Sequence, residues 1–376
     1  MIVADKRPDL VFADSIPGAP HPRQTPRLFG QAAAEQAFLT ALNSDRLHHG
    51  WLITGPRGVG KATLAWRIAR HLIANPPGQE AGLFGAPPVV GSLDLPQDHP
   101  VTVRMAALSD PGLALIRRSH NDKGVLRKDI VIDDVRALSR FFGMSAADGG
   151  HRVVIVDAAD DMNTSAANGL LKMLEEPPSN CTLLLVAHQP SRLLPTIRSR
   201  CRMLRLSPLT PADMQTALAQ TGADLPADTT ALSALADGSV GAALRLINLG
   251  GLELYQQITG ILTALPRIDR PRVLALGEVA AARGETDRFE LMLTLFDKAM
   301  ARLARTGATG LPPQPEAAPG EAQAMARLAP DAYSARAWAD RAAEVNARAR
   351  HGLAVNLDPA ALVLDTVLKM QEAARA

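Results

Sequence analysis

The sequence predicts an α/β domain, a parallel sheet with helices on both faces, followed by a small helical domain and then a larger all-α domain. Three observations point there. Short aliphatic runs recur in the first half, amphipathic helical patterns fill the spaces between them, and after Ser207 the aliphatic runs stop while the helical patterns continue.

The runs are Trp51-Leu-Ile-Thr54, Val153-Val-Ile-Val156, Thr182-Leu-Leu-Leu-Val186 and Met203-Leu-Arg-Leu206. Apolar stretches of this length, bounded by Gly, Asp or Pro, suit strands covered on both faces, as in a parallel sheet. Between them, Leu64, Ile68 and Leu72 recur at i, i+4, i+8, and Ala167, Leu170, Leu171 and Leu174 at i, i+3, i+4, i+7, which lines one helix face. Strand and helix alternate, which defines the α/β class. Beyond the punctuation of Pro208 and Pro211, segments 211–220, 229–237, 240–249, 252–265 and 287–305 read as helices. A chain of 376 residues exceeds what one core usually organises, and a second break falls at Gly250-Gly251. The expected domains are therefore 1–207, 208–250 and 251–376. Two stretches read as loops: 75–100, rich in Pro and Gly, and 310–320, which holds four prolines.

Composition narrows the class. Forty Lys and Arg stand against 38 Asp and Glu, a formal charge of +2, so no global field draws the chain onto DNA and any such contact is local or shared with partners. The two cysteines, Cys181 and Cys201, can form neither a four-cysteine zinc site nor a disulfide framework, and both read as small buried hydrophobes in a reducing compartment. The segment 1–20 carries acids and prolines where a secretory leader would carry a basic flank and an apolar core. No apolar run approaches the roughly 18 residues of a membrane span. The expectation is a soluble, cytoplasmic protein with no membrane partner.

The run Trp51–Thr54 leads into Gly55-Pro56-Arg57-Gly58-Val59-Gly60-Lys61, and then into a helical pattern. This is the G-x-x-x-x-G-K arrangement in its strand-loop-helix context. Glycines let backbone N–H groups turn inward around phosphates, Lys61 neutralises charge, and the helix N-terminus adds its dipole. ATP or ADP is the expected ligand. The next residue normally supplies a Ser or Thr hydroxyl to magnesium, but here it is Ala62, with Thr63 one step late. One step turns a helical side chain by about 100°, so Thr63 does not replace it. Backbone contacts from 55–63 remain available.

The second half of such a site is an apolar strand ending in acids. Val153–Val156 ends in Asp157, a carboxylate able to hold magnesium through water, but the following residue, where a water-orienting group is needed, is Ala158. Asp160 and Asp161 read as the start of the helix over 163–176. Efficient hydrolysis by this chain alone is not expected.

Two longer blocks carry a family resemblance: Asn168-Gly-Leu-Leu-Lys-Met-Leu-Glu-Glu-Pro-Pro178 and Leu194-Pro-Thr-Ile-Arg-Ser-Arg-Cys201. In this order after a phosphate loop they resemble the clamp-loader branch of the AAA+ ATPases. The likeness runs from Phe29-Gly-Gln31 to Leu206 and more weakly to Gly238-Ser-Val-Gly-Ala-Ala-Leu244. It implies an AAA+ domain, a small helical lid and a C-terminal helical collar that oligomerises. It implies, as partners, gamma/tau motor subunits and a delta subunit, with the sliding clamp and primed DNA reached through the assembly. In Ser199-Arg200-Cys201 the family's arginine is a finger that enters a neighbour's ATP site, with Ser199 and Cys201 at the same interface. A guanidinium keeps its charge and can bridge phosphate oxygens, worth about 10³ to 10⁵ in phosphoryl transfer. Without the motif, Arg198, Arg200 and Arg202 would read as a solvated basic edge.

Departures from the family's motor members place this chain among its non-motor members. Ala62 and Ala158 are two of them; Gly241 stands where a sensor arginine is usual, Ala187 and His188 where a small polar sensor is usual. The four-cysteine zinc module is absent, replaced by the Pro/Gly-rich insertion, and no zinc or other metal is expected. Glu175 and Glu176 end a helix stopped by Pro177, where acids oppose the dipole. They are candidates for facing basic groups of an adjacent subunit. The alternatives are an active motor ATPase of the same family and an unrelated P-loop phosphotransferase.

Overall fold

Alternating buried strands and amphipathic helices build the first part of the chain. In the computed structural model, the described residues are 12–16, 19–44, 47–76, 89–143, 150–226, 229–282 and 286–375. They divide into two compact units, residues 1–223 with 238–241, and 224–237 with 242–376.

The first unit holds α1 (Ala32–Leu42), β1 (Gly50–Thr54), α2 (Lys61–Ala74), α3 (Pro100–Ala106), β2 (Leu113–Ile116), α4 (Ile132–Gly143), β3 (Arg152–Asp157), α5 (Thr164–Glu175), β4 (Cys181–Ala187), α6 (Pro195–Arg198), β5 (Arg202–Arg205) and α7 (Pro211–Ala219). The strands form one sheet in the order β2-β3-β4-β1-β5, with every pair parallel. The four aliphatic runs become β1, β3, β4 and β5. β2 is a fifth strand beyond those four runs, only four residues long and running directly into Arg117 and Arg118.

Side chains alternate across the sheet, so each central strand feeds two cores. Leu52, Val154, Val156, Leu183 and Leu185 pack with Val135 and Leu138 of α4 and Leu170 and Leu174 of α5. Trp51, Ile53, Val153, Ile155, Leu184 and Val186 are buried as well, on the alternate positions, and α2 with its buried Leu64, Ile68 and Leu72 lies against β1, β3 and β4. Gly169 lets α5 approach α4, since a Cβ there would lie 2.8 Å from Ile132 Cδ1. The Pro/Gly-rich stretch is non-helical and strand-free over 89–96, while 77–88 lie outside the described residues.

The second unit is helical: α8 (Thr230–Ala236), the larger part of α9 (Val240–Asn248), α10 (Gly251–Ala264), α11 (Arg270–Ala281), α12 (Thr286–Thr309), α13 (Glu321–Leu328), α14 (Ala332–Ala354) and α15 (Pro359–Ala373). The long α12 packs on α10, α13 and α14, and α15 on α11 and α14. Asp331 caps α14 through a reciprocal box with Ser334, and Asp358 with Pro359 starts α15. Residues 311–319 form no helix or strand. No single helix among the described residues is long and apolar enough to cross a membrane.

Candidate nucleotide site and its distant arginine

The phosphate loop leaves β1 at its C-terminal end and enters α2. Three glycines make that path: Gly55, Gly58 and Gly60 have φ of +144°, +73° and +100°, values that side chains rarely adopt. Gly60 is also the N-cap of α2. Lys61 is buried, and its Nζ donates to the carbonyl of Gly55 at 2.7 Å and to that of Pro56. Burial is the main reason its pKa drops to about 8, with Asp157 and Asp160 opposing the fall. Pro56 and Arg57 are exposed, Val59 is buried, and Ala62 and Thr63 are half-buried.

Other segments hold this loop from behind. The buried Gln31 donates through Nε2 to the carbonyls of Val59 at 3.2 Å and Ser207 at 2.7 Å, while the Ser207 amide donates to its Oε1 at 3.2 Å. Ser239 Oγ donates to the Arg57 carbonyl at 2.8 Å, and the Gly241 amide to the Gly58 carbonyl at 3.2 Å. Residues 238–241 belong to the same compact unit as the loop. Motif spacing does not reveal these contacts: they join residues 28 to 183 apart along the chain, which only folding brings together.

Asp157 ends β3 with 8% of its surface exposed, and its pKa is pushed up to about 7, first by burial and then by the charge of Asp14. Lys61 pulls the other way. Ala158 is buried. The expected place of Asp160 and Asp161 at the start of α5 is corrected. Asn163 is that helix's N-cap, its side chain accepting from the Ala166 amide at 2.9 Å. Asp160 instead accepts from the amides of His188 and Gln189, both at 2.9 Å, so it fixes the exit of β4. Asp161 pairs with Arg118 at 3.2 Å. Burial, with Lys61 and Arg57, lowers the His188 pKa to about 4, so the ring is neutral near pH 7.

A segment preceding α1 closes on the same end of the sheet. Asp14 has no exposed side-chain surface and meets Arg117 at 2.5 Å and His21 at 3.1 Å. Burial pushes its carboxyl up, but His21 and Arg117 together hold it below its ordinary value.

The Ser199-Arg200-Cys201 motif lies at the other end. β1 and β5 run parallel with Trp51 level with Arg202 and Thr54 level with Arg205. Arg200 precedes that shared start and Gly55 follows the shared end, so at about 3.3 Å per residue roughly 15–20 Å of sheet separates them. Arg200 Nη2 pairs with Glu175 Oε1 at 3.0 Å and Nη1 donates to the Thr196 carbonyl at 3.1 Å. Glu175 and Glu176 are exposed, as is Ser199, whose hydroxyl donates to the Thr196 carbonyl at 3.1 Å. Cys201 packs against the sheet's core, and both cysteines are free thiols. The three arginines are not equivalent: Arg198 is exposed, while the Arg202 guanidinium lies 5.4 Å from the Trp51 ring centroid. Among the described residues no group of three or more His, Cys, Asp or Glu is arranged to hold a metal.

Residues 30–210 match the family model described as DNA polymerase III, delta subunit. The chain is 36% identical over 227 residues to the Pseudomonas aeruginosa DNA polymerase III subunit delta', covering 60% of this chain and 63% of that protein. Against the Escherichia coli subunit delta' the identity is 31% over 215 residues, 56% of this chain and 58% of the relative. Against the Mycobacterium tuberculosis subunit gamma/tau it is 31% over 206 residues, 53% of this chain and 31% of the relative. The chain thus spans less than two thirds of the length of each of these relatives.

Proposed function

We propose, from the premise that residues 30–210 are a delta-prime-like module of the DNA polymerase III clamp-loader family, that the whole chain is a non-motor clamp-loader subunit. In this reading it gives Arg200 to the ATP site of a gamma/tau neighbour and helps place a sliding clamp on primed DNA. The carrying observation is the separation of Arg200 from the chain's own phosphate loop by the length of the sheet. An arginine half-exposed at the opposite ends of the strands cannot touch a triphosphate bound at Lys61; it can touch one held by an adjacent subunit.

The chain's own site suits phosphate binding through the backbone of 55–63 and the Lys61 ammonium, which fits ATP or ADP. Hydrolysis is another matter. Ala62 offers no hydroxyl to magnesium, Ala158 offers no group to orient water, and Asp157, with a pKa near 7, is only partly ionised at neutral pH. These three features support a nucleotide-binding or nucleotide-indifferent role over the motor reading.

The division of labour follows the same reading: residues 1–207 as the AAA+ domain, 208–250 as the lid, and 251–376 as the collar. Leu364 and Leu368 on α15 are each 42% exposed and, with the exposed Ala361, fall at i, i+3 and i+7, an apolar stripe suited to a helical neighbour. Glu175, Glu176, Ser199 and Cys201 belong to the edge that faces the motor subunit.

Reconstitution with gamma/tau and delta tests the reading. Arg200→Ala leaves assembly intact and lowers clamp- and DNA-stimulated ATP turnover, with a loss of about 10³ or more at the one site it serves. Unchanged turnover in an intact complex would refute the donor role. Vigorous hydrolysis by the purified chain would favour the motor alternative.

A further inference from the structure

Resting on the donor reading of Arg200, we infer that Glu175 is a positioning residue for that arginine: its carboxylate tethers the guanidinium so that it is presented to the neighbouring subunit in one orientation.

The backbone on which Arg200 stands is tightly packed. A Cβ on Gly50, the first residue of β1, would lie 3.1 Å from the Arg200 carbonyl oxygen and 2.9 Å from Leu174 Cδ2. The amide of Arg200 donates to the Ile197 carbonyl at 3.1 Å. His49 Nε2 lies 3.0 Å from the Leu174 carbonyl, so the last turn of α5 is knitted to the start of β1. Glu175 is the final residue of that helix.

On this base the side chain is long and solvent-facing, with 38% of its surface exposed, and among the described residues two contacts fix its head. One is the Thr196 carbonyl, the other Glu175 Oε1. A guanidinium has five N–H donors, so two anchors leave three for an incoming ligand. Glu175 is 43% exposed, and a pair this accessible releases readily. Stability does not account for the acid at this position. A carboxylate at a helix C-terminus opposes the macrodipole, and removing it should not weaken α5. What the carboxylate does provide is orientation of the Arg200 guanidinium.

Freezing a rotamer-rich side chain in advance spares the complex that ordering at the moment of reaction. Replacing Glu175 should therefore cost catalysis, not folding. In complexes reconstituted with gamma/tau and delta, Glu175→Ala should lower kcat for ATP roughly two- to tenfold with KM unchanged. Glu175→Gln, which keeps one acceptor oxygen, should fall between Ala and the native residue. The thermal midpoint of either variant should stay level or rise, and in the Arg200→Ala background Glu175→Ala should change nothing further. Three results would overturn the inference while leaving the donor reading intact: kcat unchanged or raised by Glu175→Ala, an equal loss in the Arg200→Ala background, or a loss traced to reduced thermal stability. If Arg200→Ala itself leaves turnover untouched, the donor reading is what fails.

Discussion

The amide of Gly241 donates to the carbonyl of Gly58 over 3.2 Å, so residue 241 is pressed against the glycine-rich loop. A Cβ on Gly241 would lie 2.9 Å from the Gly58 Cα, and one on Gly58 would lie 2.7 Å from the Gly241 nitrogen. Residue 241 has no room for a side chain without a shift of the loop.

Restoring the lost groups should consequently fail to create a motor. Ala62→Thr combined with Ala158→Glu and Gly241→Arg is expected to leave steady-state phosphate release by the isolated chain at background. The last two changes force bulk or charge into buried, packed positions, costing roughly 1–3 kcal/mol or more in thermal unfolding. Turnover appearing in the triple variant would show the packing to be irrelevant.

Asp157 makes the stability of the ligand-free chain depend on pH in a defined direction. Its folded pKa is raised to about 7 against an ordinary 3.8, so the folded state binds the extra proton between those values and stability falls as pH rises through that window. Asp157→Asn should therefore raise the melting temperature at pH 8 and change it far less at pH 4. A uniform shift at both would contradict the burial argument.

His151 acts in the opposite sense. It is buried, lies 2.9 Å from Thr182 Oγ1, and burial lowers its pKa from 6.5 to about 4. The unfolded chain takes up that proton first, so stability is full above about 6.5 and declines as pH drops toward 4. Differential scanning calorimetry of His151→Gln should show a shallower acid limb than the native chain.

The second, helical unit contains a buried carboxyl group that cannot be removed cheaply. Glu321 has no exposed surface and receives Arg302 at 2.7 and 3.0 Å, the Tyr255 hydroxyl at 2.5 Å and the Ala317 amide at 2.6 Å. Glu321→Ala would leave those donors unsatisfied, with an expected loss of roughly 3–5 kcal/mol in denaturant unfolding. A loss below about 1 kcal/mol would mean that the network relaxes onto water.

Local chemistry made much of this molecule readable in advance. Apolar runs between Gly, Asp and Pro specify β1, β3 and β4, because a strand covered on both faces needs no polar alternation, whereas the run at 203–206 becomes the edge strand β5, exposed at Arg202, Met203 and Arg205 and not covered on both faces. The glycines at 55, 58 and 60 and the lysine at 61 spell a G-x-x-x-x-G-K loop between strand and helix, and the positive φ values at those glycines are what its path requires. The alanines at 62 and 158 declare equally well which groups are lacking. Contacts between distant segments were beyond that reach. The seating of Gly241 on Gly58, the clamp of Gln31 on Ser207, the use of Asp160 to hold the end of β4, and the pairing of Glu175 with Arg200 all depend on which residues the parallel sheet brings level. Periodicity and motif spacing report what each segment can become; side-chain partners are decided by packing, which acts between segments whose separation along the chain carries no trace of it.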